Sequence, residues 1–94
     1  MSAYLIAEVE VTDAKAYEGY RPLAAASIAR HGGKYIVRGG RTEALEGGQP
    51  QRVVVLEFPT MDAARTFYDS PDYREARKIR EAASRSRVFL VEGM

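Results

Sequence analysis

The chain has 94 residues, 46% apolar and 29% charged, and its 14 Lys/Arg against 13 Asp/Glu leave a formal charge of +1. That length makes one domain with one modest core, and the near-balance of charge leaves no basic surplus for coating a nucleic acid. With no cysteine and with His31 as the one histidine, disulfides, thiolate chemistry and a histidine-rich metal cluster within one chain are excluded.

Residues 3–11 (AYLIAEVEV) alternate, with Leu5, Ala7, Val9 and Val11 on one face, and predict a strand. Thr12-Asp13 caps a helix over 14–31, along which Tyr17, Tyr20, Ala24, Ile28 and His31 form a stripe; Pro22 inside it predicts a kink or a split. Gly32-Gly33 ends that helix, with one glycine in the left-handed position. Residues 34–38 (KYIVR) predict a second strand, interrupted at Gly39-Gly40 by a bulge or a close backbone approach and extended weakly by 41–45. Residues 51–58 (QRVVVLEF) predict a central strand, apolar on both faces until Glu57. Pro59 stops it and Thr60 caps a helix over 61–69. Ser70-Pro71 breaks that helix and caps a second piece to about residue 83, and 87–92 (RVFLVE) give the last strand.

The order β-α-β-β-α-β, with the second helix broken at Ser70-Pro71, is that of the α+β ferredoxin-like two-layer sandwich, a single domain over residues 1–94. The expected strand order is 4-1-3-2, with helices on one face. The other face would be a bare apolar surface, which a homodimer stacked sheet on sheet would cover. The N-terminus lacks the pattern of a signal peptide and no 18-residue apolar run exists, so a cytoplasmic location away from membranes is expected.

Several residues carry chemistry. His31, on the last helical turn, is the one imidazole available for proton transfer or ligand anchoring; its alternative role is capping. Arg38 before Gly39-Gly40 suits a carboxylate or phosphate, or pairs with a surface acid. Glu57 needs a partner such as Arg38 or Arg52, or acts as a base at a dimer interface. Tyr17, Tyr20, Tyr68 and Tyr73 line an aromatic pocket or pack at its rim. Residues 74–87 carry a net +4 and residues 1–20 a net −3, an asymmetry able to steer an anion. Within the basic run Arg80, sharing a face with Tyr73 and Ala76, is the arginine expected to turn inward. No nucleophile elbow, phosphate loop or recognition helix appears.

These motifs together — D-x-x-x-Y-x-x-Y at Asp13, Tyr17 and Tyr20, H-G-G at His31 to Gly33, R-G-G at Arg38 to Gly40, E-F-P at Glu57 to Pro59, A-x-x-F-Y-x-S-x-x-Y from Ala64 to Tyr73, then Arg80 — resemble the DUF1330 family of the dimeric α/β-barrel superfamily. The resemblance covers nearly the whole chain. It implies a dimeric ferredoxin-like domain in a superfamily of cofactor-free monooxygenases, isomerases, haem peroxidases and ligand-sensing domains, with sites between helices and sheet. The expectation is a pocket formed by Tyr17, Tyr20, His31, Arg38, Tyr68, Tyr73 and Arg80, holding a small anionic or aromatic molecule without metal or cofactor. His31 is the expected catalytic group if a reaction occurs. Gly32, Gly33, Gly39, Gly40, Glu57, Pro59 and Ser70 are expected to be structural. Cofactor-free oxidation or isomerisation, and a purely structural role, are the alternatives.

Overall fold

The computed structural model describes all 94 residues. Its elements are β1 (Ala3–Val11), α1 (Ala14–Glu18), α2 (Tyr20–Arg30), β2 (Lys34–Arg38), β3 (Arg52–Phe58), α3 (Met61–Asp69), α4 (Pro71–Ala83) and β4 (Ser84–Glu92). The four strands form one antiparallel sheet in the order β2-β3-β1-β4. This is the ferredoxin-like topology, with β1 and β3 at the centre. No helix is long and apolar enough to cross a membrane.

Short polar signals set the helix boundaries. Asp13 Oδ1 accepts the Ala16 N–H at 3.1 Å to open α1, and Thr60 Oγ1 accepts the Ala63 N–H at 3.0 Å to open α3. Ser70 accepts the Tyr73 N–H at 3.3 Å and donates to the Phe67 carbonyl at 2.6 Å, closing α3 and opening α4 with Pro71 in the first turn.

The first helix breaks at Gly19, three residues before Pro22. A continuous helix would set the proline ring against the Glu18 carbonyl and leave that carbonyl unbonded. Restarting at Tyr20 places Pro22 in the first turn of α2, where N–H groups have no helical partner. The break leaves Tyr17, Tyr20, Ala24 and Ile28 of the expected stripe on the core side, because Gly19 itself keeps a right-handed helical conformation.

Three further expectations are corrected. The bulge falls between Tyr35 and Val37, not at Gly39-Gly40. Residues 41–45 form no strand. β4 begins at Ser84, where Ser84, Arg85 and Ser86 pair with Val11, Glu10 and Val9; the polar SRSR run gives no hydrophobic signal to mark them.

The core lies between the sheet and the helices. Leu5, Ala7, Val9, Leu56 and Phe58 face Tyr17, Ile28, Phe67, Tyr73 and Ala76. Phe58 stacks on Phe67 and Phe67 on Tyr73, with ring centroids 5.1 and 4.4 Å apart. Gly32 (φ 78°) makes the left-handed turn after α2, and a side chain at Gly33 would strike the Phe58 ring. The opposite sheet face carries Ile6, Val53, Val55, Phe89 and Val91 with no helix above it.

Candidate functional site

A cavity of about 40 Å³ lies between the sheet and α1, α2 and α4. The helices supply Tyr17, Tyr20, Arg21, Tyr73 and Arg80, and the sheet supplies Tyr35, Arg38, Arg52, Val54 and Val88. Four arginines and four tyrosines line it, and no aspartate or glutamate does.

Arg80 is the innermost cation. It is 5% exposed, Nη2 donates to Tyr68 Oη at 3.3 Å, and Nε has no partner. No carboxylate pairs with it. Burial works against its charge, but the surrounding Tyr73, Tyr20 and Tyr68 work the other way and leave its pKa raised. It is a buried guanidinium whose neighbours are neutral phenols, an arrangement that favours an added anion.

The phenols are fixed by each other. Tyr20 Oη and Tyr73 Oη lie 2.7 Å apart, and the Tyr17 and Tyr20 rings stack with centroids at 5.2 Å. Burial pushes the Tyr20 hydroxyl up, and Tyr73 beside it pushes further. Burial also raises Tyr73 and Tyr35. All three stay protonated at neutral pH and serve as hydrogen-bond donors, not bases.

Towards the outside, Arg38 stacks over the Tyr35 ring at 4.3 Å and Arg21 lies 5.8 Å from the Tyr17 centroid. Arg52, the first residue of β3, rests over Gly39, where a β-carbon would collide with its guanidinium. Gly39 (φ 68°) thus makes room for a protein side chain. Nothing lies within 4 Å of the place a Gly40 side chain would take.

The cavity gathers Tyr17, Tyr20, Arg38, Tyr73 and Arg80 from the expected set, and leaves His31 and Tyr68 outside its lining. His31 closes α2 with Nε2 3.3 Å from Asp72 Oδ1, while Ser27 and Arg30 bond the other Asp72 oxygen at 2.8 and 2.7 Å. Tyr68 borders an open groove of about 400 Å³ beside β4, with Arg77 stacked on its ring at 4.5 Å. Glu57 lies on the open sheet face, where Tyr4 Oη donates to it at 3.5 Å and Lys34 is its neighbour on β2. The partners expected for it, Arg38 and Arg52, line the cavity instead.

Arg21, Tyr35 and Asp72 were not flagged by the sequence, and Arg52 was flagged only as a partner for Glu57. Arg52 has a legible signal: it shares parity with Val54, Leu56 and Phe58, so alternation alone turns it inward. Asp72 sits in the first turn after Ser70-Pro71, and nothing local points from it to His31.

The cavity does not fit a haem. It is too small for the macrocycle, and the one imidazole is outside it, bonded to Asp72. No group of three or more His, Asp or Glu is placed to hold a metal ion.

Four antiparallel strands under one helical layer, with an arginine-lined cavity between them, define a ferredoxin-like α+β protein. More narrowly, the chain belongs to the DUF1330 family: the model for this domain of unknown function matches residues 2–94. Among solved structures it is similar to the RPA0582 protein of unknown function from Rhodopseudomonas palustris, at 26% identity and TM-score 0.81, over 99% of this chain and 82% of that one. A dimeric ferredoxin-like protein of unknown function from Jannaschia sp. CCS1 matches at 10% identity and TM-score 0.78, over 99% and 100%. SnoaB, a cofactor-independent oxygenase from Streptomyces nogalater, matches at 18% identity and TM-score 0.71, over 99% and 93%. No protein of curated function matches the chain.

Proposed function

We propose that the protein binds a small anionic molecule, with a carboxylate-type head at Arg80. The observation that carries this is the guanidinium buried without an acid, its Nε unpartnered, in a cavity lined by four arginines and no carboxylate. A charge-assisted hydrogen bond to an anion would meet both needs. Tyr20 and Tyr73, both protonated and sharing one hydrogen bond, leave one phenolic proton to donate beside it. The cavity is far below the roughly 300–1,000 Å³ of drug-sized sites, so it suits a short open-chain acid rather than a ring.

A cofactor-free oxygenase, the activity named for SnoaB, is the second reading. Any step that takes a proton from a substrate needs a base, and the cavity lining holds no imidazole and no carboxylate to act as one. That favours binding over turnover, and assigns His31 to holding α2 against α4. The assembly we propose is a homodimer stacked through the open sheet face, where Ile6, Val53, Val55 and Phe89 are only half covered; the Jannaschia neighbour is described as dimeric.

Calorimetric titration with propionate, and with propionamide as the uncharged control, tests the binding proposal. Binding of propionate by the wild type, none of propionamide, and at least a tenfold loss in Arg80→Met are expected. His31→Ala should bind as the wild type does. Equal binding by Arg80→Met and wild type would overturn the assignment.

A further inference from the structure

We infer that the natural ligand carries two anionic groups, one met by Arg80 and the other by Arg52. This rests on the binding proposal above and narrows its ligand class to short dicarboxylates and their equivalents.

Two buried donor nitrogens in the protein have no hydrogen-bond partner, Arg80 Nε and Arg52 Nε, and both belong to side chains lining this one cavity. Neither arginine forms an ion pair, although Arg30 and Arg77 do. An unmet buried donor carries a desolvation cost. Two of them, on two cations facing one space, call for two acceptors.

The two guanidiniums reach the cavity from different layers. Arg80 comes from the helical layer and is tethered to Tyr68; both also border a groove running along Ser84, Ser86 and Val88 on the β4 edge. Arg52 comes from the sheet and is held over Gly39, at the end of β2 on the opposite edge. The two carboxylate oxygens of a single head group lie only about 2 Å apart. A short chain with an acid at each end can reach both guanidiniums, its middle against Leu5, Ala7, Val54 and Val88.

Gly39 supports the same view of Arg52. Its positive φ and missing side chain let the guanidinium lie flat against the backbone, which fixes an exposed-prone side chain at the cavity without using an acid. Arg38, stacked on Tyr35, and Arg21, beside Tyr17, add positive potential at the entrance without an unmet buried donor.

The test is a calorimetric series of α,ω-dicarboxylates from malonate to adipate against the monocarboxylates of equal chain length, propionate to hexanoate. The expected result is one dicarboxylate binding at least tenfold more tightly than its monocarboxylate. In Arg52→Met that preference should fall below twofold. Arg52→Lys, which keeps the charge and loses Nε, should fall between the two and covers a failure of the methionine variant to fold. A wild-type preference below twofold at every length, or a preference surviving in Arg52→Met, overturns the inference while monocarboxylate binding still upholds the site at Arg80. Failure of both series to bind the wild type overturns the site and the inference together.

Discussion

Arg80 sets affinity against stability within one side chain. A buried cation without a counter-ion is a stability cost, and replacing it with an apolar chain of similar length is often neutral or favourable. Arg80→Met is therefore expected to keep or raise the thermal midpoint while binding is lost, a pairing that thermal denaturation and titration read together. A drop in stability above about 2 kcal/mol would mean that Arg80 serves mainly to pack the core. Gly39 is the second sensitive residue. Gly39→Ala forces an alanine into a left-handed conformation, at roughly 1–2 kcal/mol, and drives the methyl into the Arg52 guanidinium. Chemical denaturation should show that loss, and the Arg52 Nε–H resonance should shift. Arg80 was legible because Tyr73 and Ala76 share its face and are buried. His31 falls outside the lining because it caps the end of α2, one turn beyond Ile28, and meets Asp72 there.

Between elements, the tie that matters is Asp72. It joins the end of α2 to the start of α4 through Ser27, Arg30 and His31. The Ser27 hydrogen bond first, then those from His31 and Ser70, hold its carboxyl well below the usual carboxylate range, against an opposing push from burial. A lowered folded-state pKa means that the unfolded chain takes up the proton first. The stabilisation is thus complete above about pH 4, where a free aspartate titrates, and is lost as pH falls further, through the folded-state value. Asp72→Asn should be less stable than wild type at pH 7, and the gap should close as pH is lowered towards 2, followed by urea denaturation. A gap independent of pH would remove the carboxylate charge from the account. Strand order and helix caps were legible from alternation, Pro59, Ser70 and Pro71. The start of β4 was not, because Ser84–Arg87 is held by pairing with β1 rather than by apolar burial.

At the scale of the whole molecule, the two faces of the sheet differ. One is covered by four helices; the other presents Val53 and Val55 at its centre, between Ile6 and Val37. Val55→Asp would place a charge there without touching the helical core. Light scattering should report a dimer for the wild type and a monomer for Val55→Asp, with the helical circular dichroism retained. A monomeric wild type at micromolar concentration would remove the proposed assembly. The proposed stacked pair would leave four strand edges in water, each a template for another chain to add strands without end. β2 is a poor template: it has five residues, a kink at Ile36, and a cation at each tip in Lys34 and Arg38. On the far side Arg85 and Arg87 stud the outermost strand. Like charges facing each other across such rims would resist fibre growth, so the proposed association through the broad surface would stop at two.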